Sequence, residues 1–196
     1  RTHFMKHRII RLWRGMVIIL LLMVSLFGYG FSTAAPMRAT SYLTPNNSIQ
    51  SALDNAQPGD TLVLGPGIYA QDLLTVRDGL PGAPITISGP RDAILSGQGD
   101  GRLVEINHSY IVLDGFTING AQGSSHSDKL IYVINKRAGV PLLGLKITNM
   151  AIGQAGDECI RLRYMVQQAE IAGNTIGPCG IDYFPNGVWA GGSKNG

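Results

Sequence analysis

Charge is scarce in this chain of 196 residues. Asp, Glu, Lys and Arg together make up 15%, and only two residues are cysteine. The formal charge of +3 is misleading, because residues 1–34 hold five of the 16 basic residues and no acid. Residues 35–196 therefore carry 11 basic against 13 acidic residues, which leaves no general basic surface for nucleic acid. Cys159 and Cys179 have no histidine nearby and make a poor zinc site. No phosphate loop, zinc motif or nucleophile elbow is present. Between Tyr110 and Ile176 no uninterrupted stretch has helical spacing. What remains are 26 glycines and many short apolar runs, the composition of short strands joined by turns.

The basic residues at the start belong to a leader. A basic n-region, an apolar run from Met16 to Phe27 and the small residues Ser32-Thr33-Ala34-Ala35 match a secretory signal peptide cleaved after Ala34. An uncleaved membrane anchor is the alternative, but the run falls short of the roughly 20 apolar residues of a spanning helix. The expected location is secreted, periplasmic or on the cell surface, with membrane contact only through an uncleaved leader. In such a compartment Cys159 and Cys179 either bridge or remain two buried thiols. The pattern leaves the oligomeric state open.

The segments VLDGFTING, LLGLKITNM and EIAGNTIGP repeat one another. Leu113, Leu142 and Ile171 are spaced by 29 residues, as are Gly115, Gly144 and Gly173, and Ile118, Ile147 and Ile176. A fixed period of this size signals stacked repeats, each burying its apolar side against its neighbours. The apolar residues within each unit alternate, so the units are strands. Residues 35–47 are polar, carry Pro36 and Pro45, and read as a linker. From Ser48, a possible N-cap residue, Ile49, Ala52, Leu53 and Ala56 have helical spacing, which predicts a short amphipathic helix covering the open end of the stack.

The run SIQSALDNAQPGDTLVLGPGIYAQDLLTV, followed by APITISG and IVLDGFTI, resembles the N-terminal cap and first coils of the pectate-lyase-like superfamily. The resemblance covers about residues 48–182. It implies an all-β fold, a right-handed single-stranded parallel β-helix with an N-terminal amphipathic capping helix. The expected organisation is a leader over 1–34, a linker over 35–47, and a β-helix domain over 48–196 with its cap and about five coils. VWAGGSKNG shows no C-terminal cap, so the chain reads as the N-terminal part of a longer β-helix. The paired aspartates and histidine of β-helix galacturonases are absent.

In such a fold the outward side chains of equivalent strands line up about one strand spacing, ~5 Å, apart. Taking Val104/Ile106, Ile131/Val133 and Ile160/Leu162 as inward pairs places Glu105, Tyr132 and Arg161 on one outward row, with Asp182 extending it. Asn107 and Arg163 fall on a neighbouring row. A ring for stacking and charges for uronate carboxylates make this row a candidate sugar-binding face, with Glu105, Tyr132 and Asp182 contacting substrate. Exposed charges of this kind also occur as mutually neutralising ladders without function. Asn119, Asn149 and Asn174 lie near turns and suit inter-coil hydrogen bonding, and Asn174 in particular falls at an inward position. His108 and His126 stand alone in the sequence.

The fitting chemistry is β-elimination from a uronic acid polymer, which needs the carboxylate neutralised and the C5 proton removed. Asp157 and Glu158 are adjacent hard-oxygen ligands before Arg161 and Arg163, and with Asn149 they compose a candidate Ca²⁺ corner beside a cationic base. GDECIRLRYMVQQAEIAGNTI is similar to the metal-and-base segment of the chondroitinase B and alginate lyase family, where an asparagine and two glutamates hold calcium and a lysine and an arginine act as base and acid. Asn149 matches the asparagine and Glu158 the second glutamate; Gly156 stands at the first glutamate and Arg163 at the lysine. The reading that follows is an exported protein acting on or binding acidic polysaccharide, with Arg163 and Arg161 as catalytic residues and Asn149, Asp157 and Glu158 holding Ca²⁺. The alternative is a non-catalytic extracellular β-helix that only binds glycan or protein.

Overall fold

The alternating apolar residues form strands wound into a parallel β-solenoid. The computed structural model describes residues 38–99, 101–182 and 186–191, so the leader and its cleavage site lie outside the described residues. The first sheet contains β1 (Thr40–Leu43), β2 (Thr61–Leu64), β5 (Ile85–Ser88), β8 (Ile111–Asp114), β14 (Lys146–Thr148) and β18 (Glu170–Ala172), in that order. The second contains β3 (Gly67–Tyr69), β6 (Ala93–Leu95), β9 (Thr117–Asn119), β15 (Ala151–Gly153) and β19 (Thr175–Ile176). The third contains β4 (Leu73–Leu74), β7 (Arg102–Ile106), β12 (Lys129–Ile134), β16 (Glu158–Arg163) and β20 (Asn186–Gly191). One strand from each sheet makes a turn of the solenoid, about five turns in all. A small hairpin, β10 (Ala121–Gln122) with β11 (Ser125–His126), leaves the third turn, and β13 (Leu142–Leu143) pairs with β17 (Val166–Gln167) where the chain returns to the first sheet.

Alternation decides which side chains fill the interior. Leu62, Leu64, Ile85, Ile87, Ile111, Leu113 and Ile147 enter from the first sheet, each at most 2% exposed. Tyr69, Leu95, Ile118 and Ile152 enter from the second, and Val104/Ile106, Ile131/Val133 and Ile160/Leu162 from the third, as the sequence predicts. Each buried Leu or Ile contributes about 1.5–3 kcal/mol, and this stacked column is the main source of stability. The turns continue the ladder: Gly65 N donates to Leu43 O, Gly89 N to Asp114 O, and Gly115 N to Thr148 O. Gly115 has φ +89°, and a Cβ there would run into the Gly89 carbonyl, so this turn needs glycine. Tyr69, from the GPGIY segment, is fully buried with its hydroxyl 2.9 Å from the carbonyls of Leu43 and Gly65.

The regular 29-residue spacing does not describe the stacking. Ile147 pairs with Leu113, 34 residues earlier, and with Ile171, 24 residues later. In the second sheet Ile118 pairs with Ile152 rather than Ile147, and Leu142 pairs with Val166. The 29-residue figure is the mean of one long and one short turn. The long turn holds the β10–β11 hairpin and the loop before β13, and the lengthening moves the middle repeat five residues out of phase. In the third sheet the expected inward residues do align, Val104 with Ile131 and Ile131 with Ile160.

The predicted helix is present as α1 (Ile49–Asn55). Ser48 caps it by accepting a hydrogen bond from Ser51 N, and Ile49 and Leu53 are buried. The segment read as a linker contains β1, which pairs in parallel with β2 and buries Leu43, so Thr40–Leu43 belong to the solenoid. Cys159 and Cys179 form a disulfide with Cα atoms 5.6 Å apart, joining consecutive turns. Closing a loop of this size contributes about 3 kcal/mol in the chain-entropy account. Among the described residues no helix is long and apolar enough to cross a membrane.

Candidate functional site

The outer face of the third sheet gathers most of the candidate residues. Leu74, Glu105, Tyr132, Arg161 and Trp189 occupy equivalent backbone positions on successive strands. The expected row of Glu105, Tyr132 and Arg161 is therefore present. Asp182 does not extend it. Its carboxylate lies 3.1 Å from His126 Nδ1 at the corner leading into the third sheet, and its backbone N donates to Gly156 O. Trp189 holds the register position opposite Arg161.

Cations cover the row more completely than alternation alone indicates. Arg102 and Lys129 have the same strand parity as the inward residues, yet Leu103 and Leu130 are fully buried in their stead. Strict alternation breaks at the start of these strands, where Leu103–Val104 and Leu130–Ile131 are each two buried residues in succession. The Arg102 guanidinium lies 3.9 Å from the Tyr132 ring centroid, a cation–π contact. Tyr132 is consequently only 2% exposed although it faces outward, and its ring is not open for sugar stacking.

Arg163 sits between two phenols. Its Nη1 donates to the Tyr132 hydroxyl at 3.2 Å and its Nη2 to the Tyr164 hydroxyl at 2.6 Å. Its guanidinium is 4.6 Å from the Tyr164 ring centroid. The hydrogen bond to Tyr132 raises the Arg163 pKa further, the opposite of what a proton-abstracting base requires. Tyr164 and Met165 both adopt the left-handed region, at φ 60° and 49°. Two successive bulky residues there are costly, and conformations of this kind cluster at functional sites.

Two carboxylate clusters flank this group. Glu105 accepts from Arg102 and Lys136, each at 2.6 Å, and from Asn107 Nδ2 at 3.0 Å. Burial alone would raise its pKa, but hydrogen bonds from Lys136, Arg102 and Asn107 outweigh burial and hold it at about 2. Because this is below the ordinary glutamate value of about 4.3, Glu105 adds stability above that value and loses it as pH falls towards about 2. Denaturant unfolding across that acid range should show wild type losing stability more steeply than Glu105→Gln. Equal slopes would refute the assignment.

The second cluster centres on Lys129, whose Nζ is 2.6 Å from Asp128, 2.9 Å from Asp157 and 3.4 Å from Glu158. Arg161 Nη1 donates to Glu158 Oε1 at 2.7 Å. Burial and the neighbouring Asp157 push the Glu158 carboxyl up; burial also acts to raise Asp157, but hydrogen bonds with Lys129 and Glu158 and the charges of Lys129 and Arg161 together outweigh it and draw Asp157 down. Asn149 is not in this cluster. It occupies the turn between β14 and β15, where Nδ2 donates to Asp114 Oδ1 at 2.9 Å, while Asp157 and Glu158 lie beyond β15. Asn149, Asp157 and Glu158 thus occupy different corners, and the two carboxylates already face an ammonium. Among the described residues no group of three His, Cys, Asp or Glu is arranged to hold a metal. The expected Ca²⁺ corner does not fit this arrangement, and no step is derived through it.

A further cluster lies where the chain leaves the third sheet. His108 Nδ1 is 2.9 Å from Thr75 Oγ1, and burial lowers the imidazole pKa. Nearby, Arg137 holds Asp78 through both Nη atoms and donates to Ser109 Oγ. Asp78 and Arg137 are 59 residues apart and only the coil brings them together. Asn174, expected inward and hydrogen-bonded, accepts from Met150 N and donates to Ile147 O.

No protein-family profile and no curated sequence matches the chain. Solved structures do. An alginate lyase from Paenibacillus sp. str. FPU-7 superposes with a TM-score of 0.64 at 24% identity over 80% of this chain and 51% of its own. A mannuronic acid specific polysaccharide family 6 lyase from human gut microbiota gives a TM-score of 0.52 at 21% identity over 69% of this chain and 33% of its own. Pectate lyase Pel9A is more distant, at a TM-score of 0.49 and 16% identity. The chain spans about half the length of the first of these and a third of the second. At these identities the likeness speaks to architecture alone, and it agrees with the three stacked parallel sheets: the chain has the fold of a parallel β-helix.

Proposed function

We propose that this protein is exported, binds an acidic polysaccharide along the outer face of the third sheet, and cleaves it by β-elimination. The observation that carries this reading is Arg163 held between the hydroxyls of Tyr132 and Tyr164 on a face lined by Arg102, Lys129, Lys136 and Arg161. The disulfide suits an oxidising compartment and supports export. The fold neighbours are named as lyases of alginate, mannuronic acid polymer and pectate.

In this reading Arg163 neutralises the uronate carboxylate, which makes the C5 proton acidic enough to leave. The Tyr164 hydroxyl oxygen, which accepts from Arg163 Nη2, takes that proton as its own hydroxyl proton passes to the departing O4. The C5–H electrons form the C4=C5 double bond, the C4–O4 bond breaks, and Tyr164 is a neutral phenol before and after the step. Arg161 fixes the Glu158 carboxyl and is a positioning residue. Ultraviolet absorbance of the unsaturated uronate, measured on the full chain with alginate, chondroitin and pectate, tests this. Product should form with or without a chelator. Tyr164→Phe should reduce the rate by about 10²–10⁴-fold, the range for a lost acid–base group, and Arg163→Ala should abolish it. Product formation unaffected by either substitution would remove the assignment.

A second reading, a non-catalytic glycan-binding β-helix, is favoured by the pairing of charges on the face: Glu105 with Arg102 and Lys136, and Lys129 with three carboxylates. Polymer binding that is weakened by Arg163→Ala, without product from any polyuronate, would select it.

A further inference from the structure

A cleft of about 450 Å³ lies at the N-terminal end of the solenoid, away from Arg163 in sequence and in sheet position. Asn46, Asn47, Gln50, Gln71, Asp72 and Gln98 line it, with Pro45 and Ala70 as small apolar surfaces. These residues come from the turn before α1, from α1 itself, and from the segments joining β3 to β4 and β6 to β7. Five primary amides converge on this one cleft.

The amides are held rather than loose. Gln71 Oε1 accepts from Ile49 N at 2.7 Å and its Nε2 donates to Asn47 O at 2.8 Å. Gln50 Oε1 accepts from Leu74 N, and its Nε2 donates to both Leu74 O and Asp54 Oδ1. Gln98 Nε2 donates to Ala70 O, while Gln98 N donates to Asp72 Oδ1. Asn47 Oδ1 accepts from Thr44 N and Thr44 Oγ1. An amide oxygen has two lone pairs and an amide nitrogen two hydrogens, so Asn47, Gln71 and Gln98, each fixed by one or two bonds, still have capacity to offer. Groups held in place by the backbone lose little entropy when a ligand arrives.

The charge of the lining selects the ligand. It includes the Asp72 carboxylate and no cation. Two of the first N–H groups of α1 are taken, that of Ile49 by Gln71 Oε1 and that of Ser51 by Ser48 Oγ, and neither is open to an anion. Hydroxyl groups that both donate and accept are the complement of fixed amides and one carboxylate. The volume lies within the range of roughly 300–1,000 Å³ for small-ligand sites. We infer that this cleft binds a neutral saccharide of one or two rings, at a site separate from the cationic face of the third sheet.

Saturation-transfer NMR and calorimetry on the full chain with maltose, cellobiose, mannobiose and lactose, against a digalacturonate control, test the inference. At least one neutral disaccharide should bind more tightly than digalacturonate. Its affinity should fall about tenfold in Asp72→Ala and in Gln98→Ala, remain unchanged in Arg163→Ala, and disappear in Asn46→Trp, which fills the cleft from an exposed turn. Unchanged thermal unfolding of each variant separates lost binding from lost folding. Absence of binding by all four neutral sugars overturns the inference, as does binding that survives the cleft substitutions or is lost with Arg163. Failure of the lyase reading leaves these outcomes unaltered, because none depends on cleavage or on the cationic face.

Discussion

Replacing Ile147 with Asp should prevent the chain from folding. Ile147 is fully buried, with Leu113 on one side and Ile171 on the other in adjacent strands. The substitution puts a carboxylate into an interior column that offers only apolar neighbours there, at a desolvation cost comparable with or above the whole stability of a domain, about 5–15 kcal/mol. Circular dichroism and urea unfolding should show no cooperative transition. Ile147→Val, which removes one methyl group, should cost only about 0.5–1.5 kcal/mol and keep the transition. A soluble Ile147→Asp protein with wild-type unfolding would refute the inward assignment of β14.

Lys129→Met should lower stability by about 3–5 kcal/mol, the cost of removing one partner from a buried ion pair. The Lys129 side chain is 13% exposed, and Asp157 and Glu158 are 20% and 5% exposed. Removing the ammonium leaves two adjacent carboxyls with Arg161 as the remaining cation bonded to them. Burial disfavours the charged lysine, but hydrogen bonds to Asp128 and Asp157 outweigh it and raise the Lys129 pKa. The contribution is therefore complete below the ordinary lysine value of about 10.4 and lost as pH rises through the folded value. The difference in urea midpoint between wild type and variant should persist at neutral pH and shrink in alkali. Adding Asp157→Asn and Glu158→Gln to Lys129→Met should recover much of the loss, since the two carboxyls that lost the ammonium are then neutral amides, of which the residue at 158 can still accept from Arg161. A single-variant loss below about 1 kcal/mol would class the cluster with ordinary surface pairs.

The Lys129 cluster also explains why the expected calcium corner fails. Reading Asp157 and Glu158 as adjacent oxygen ligands is sound as donor chemistry, but the sequence does not show which cation they meet. Lys129 is 28 residues earlier, and its parity along β12 places it inside. Leu130 and Ile131 are both buried, and the Lys129 ammonium lies instead among the three carboxylates. Tyr132 shows a related effect. Its outward direction follows from alternation, whereas its coverage by Arg102 depends on a residue of the neighbouring strand, one turn earlier in the chain.

The sequence by itself determined the features that recur locally. Alternation along short strands, glycine at turns, a capped amphipathic helix and inward pairs such as Ile131/Val133 are properties of a few consecutive residues. From these the solenoid and the row of Glu105, Tyr132 and Arg161 follow. The tertiary structure alone decided how turns of unequal length align, so that Ile147 meets Leu113 and Ile171 and Asp182 turns to His126. It also decided which charges neutralise one another and which amides converge on the cleft beside α1. In a solenoid each contact joins residues one whole turn apart. A hairpin or loop inserted into one turn changes the sequence distance between partners without changing the backbone ladder, and local periodicity carries no record of that change.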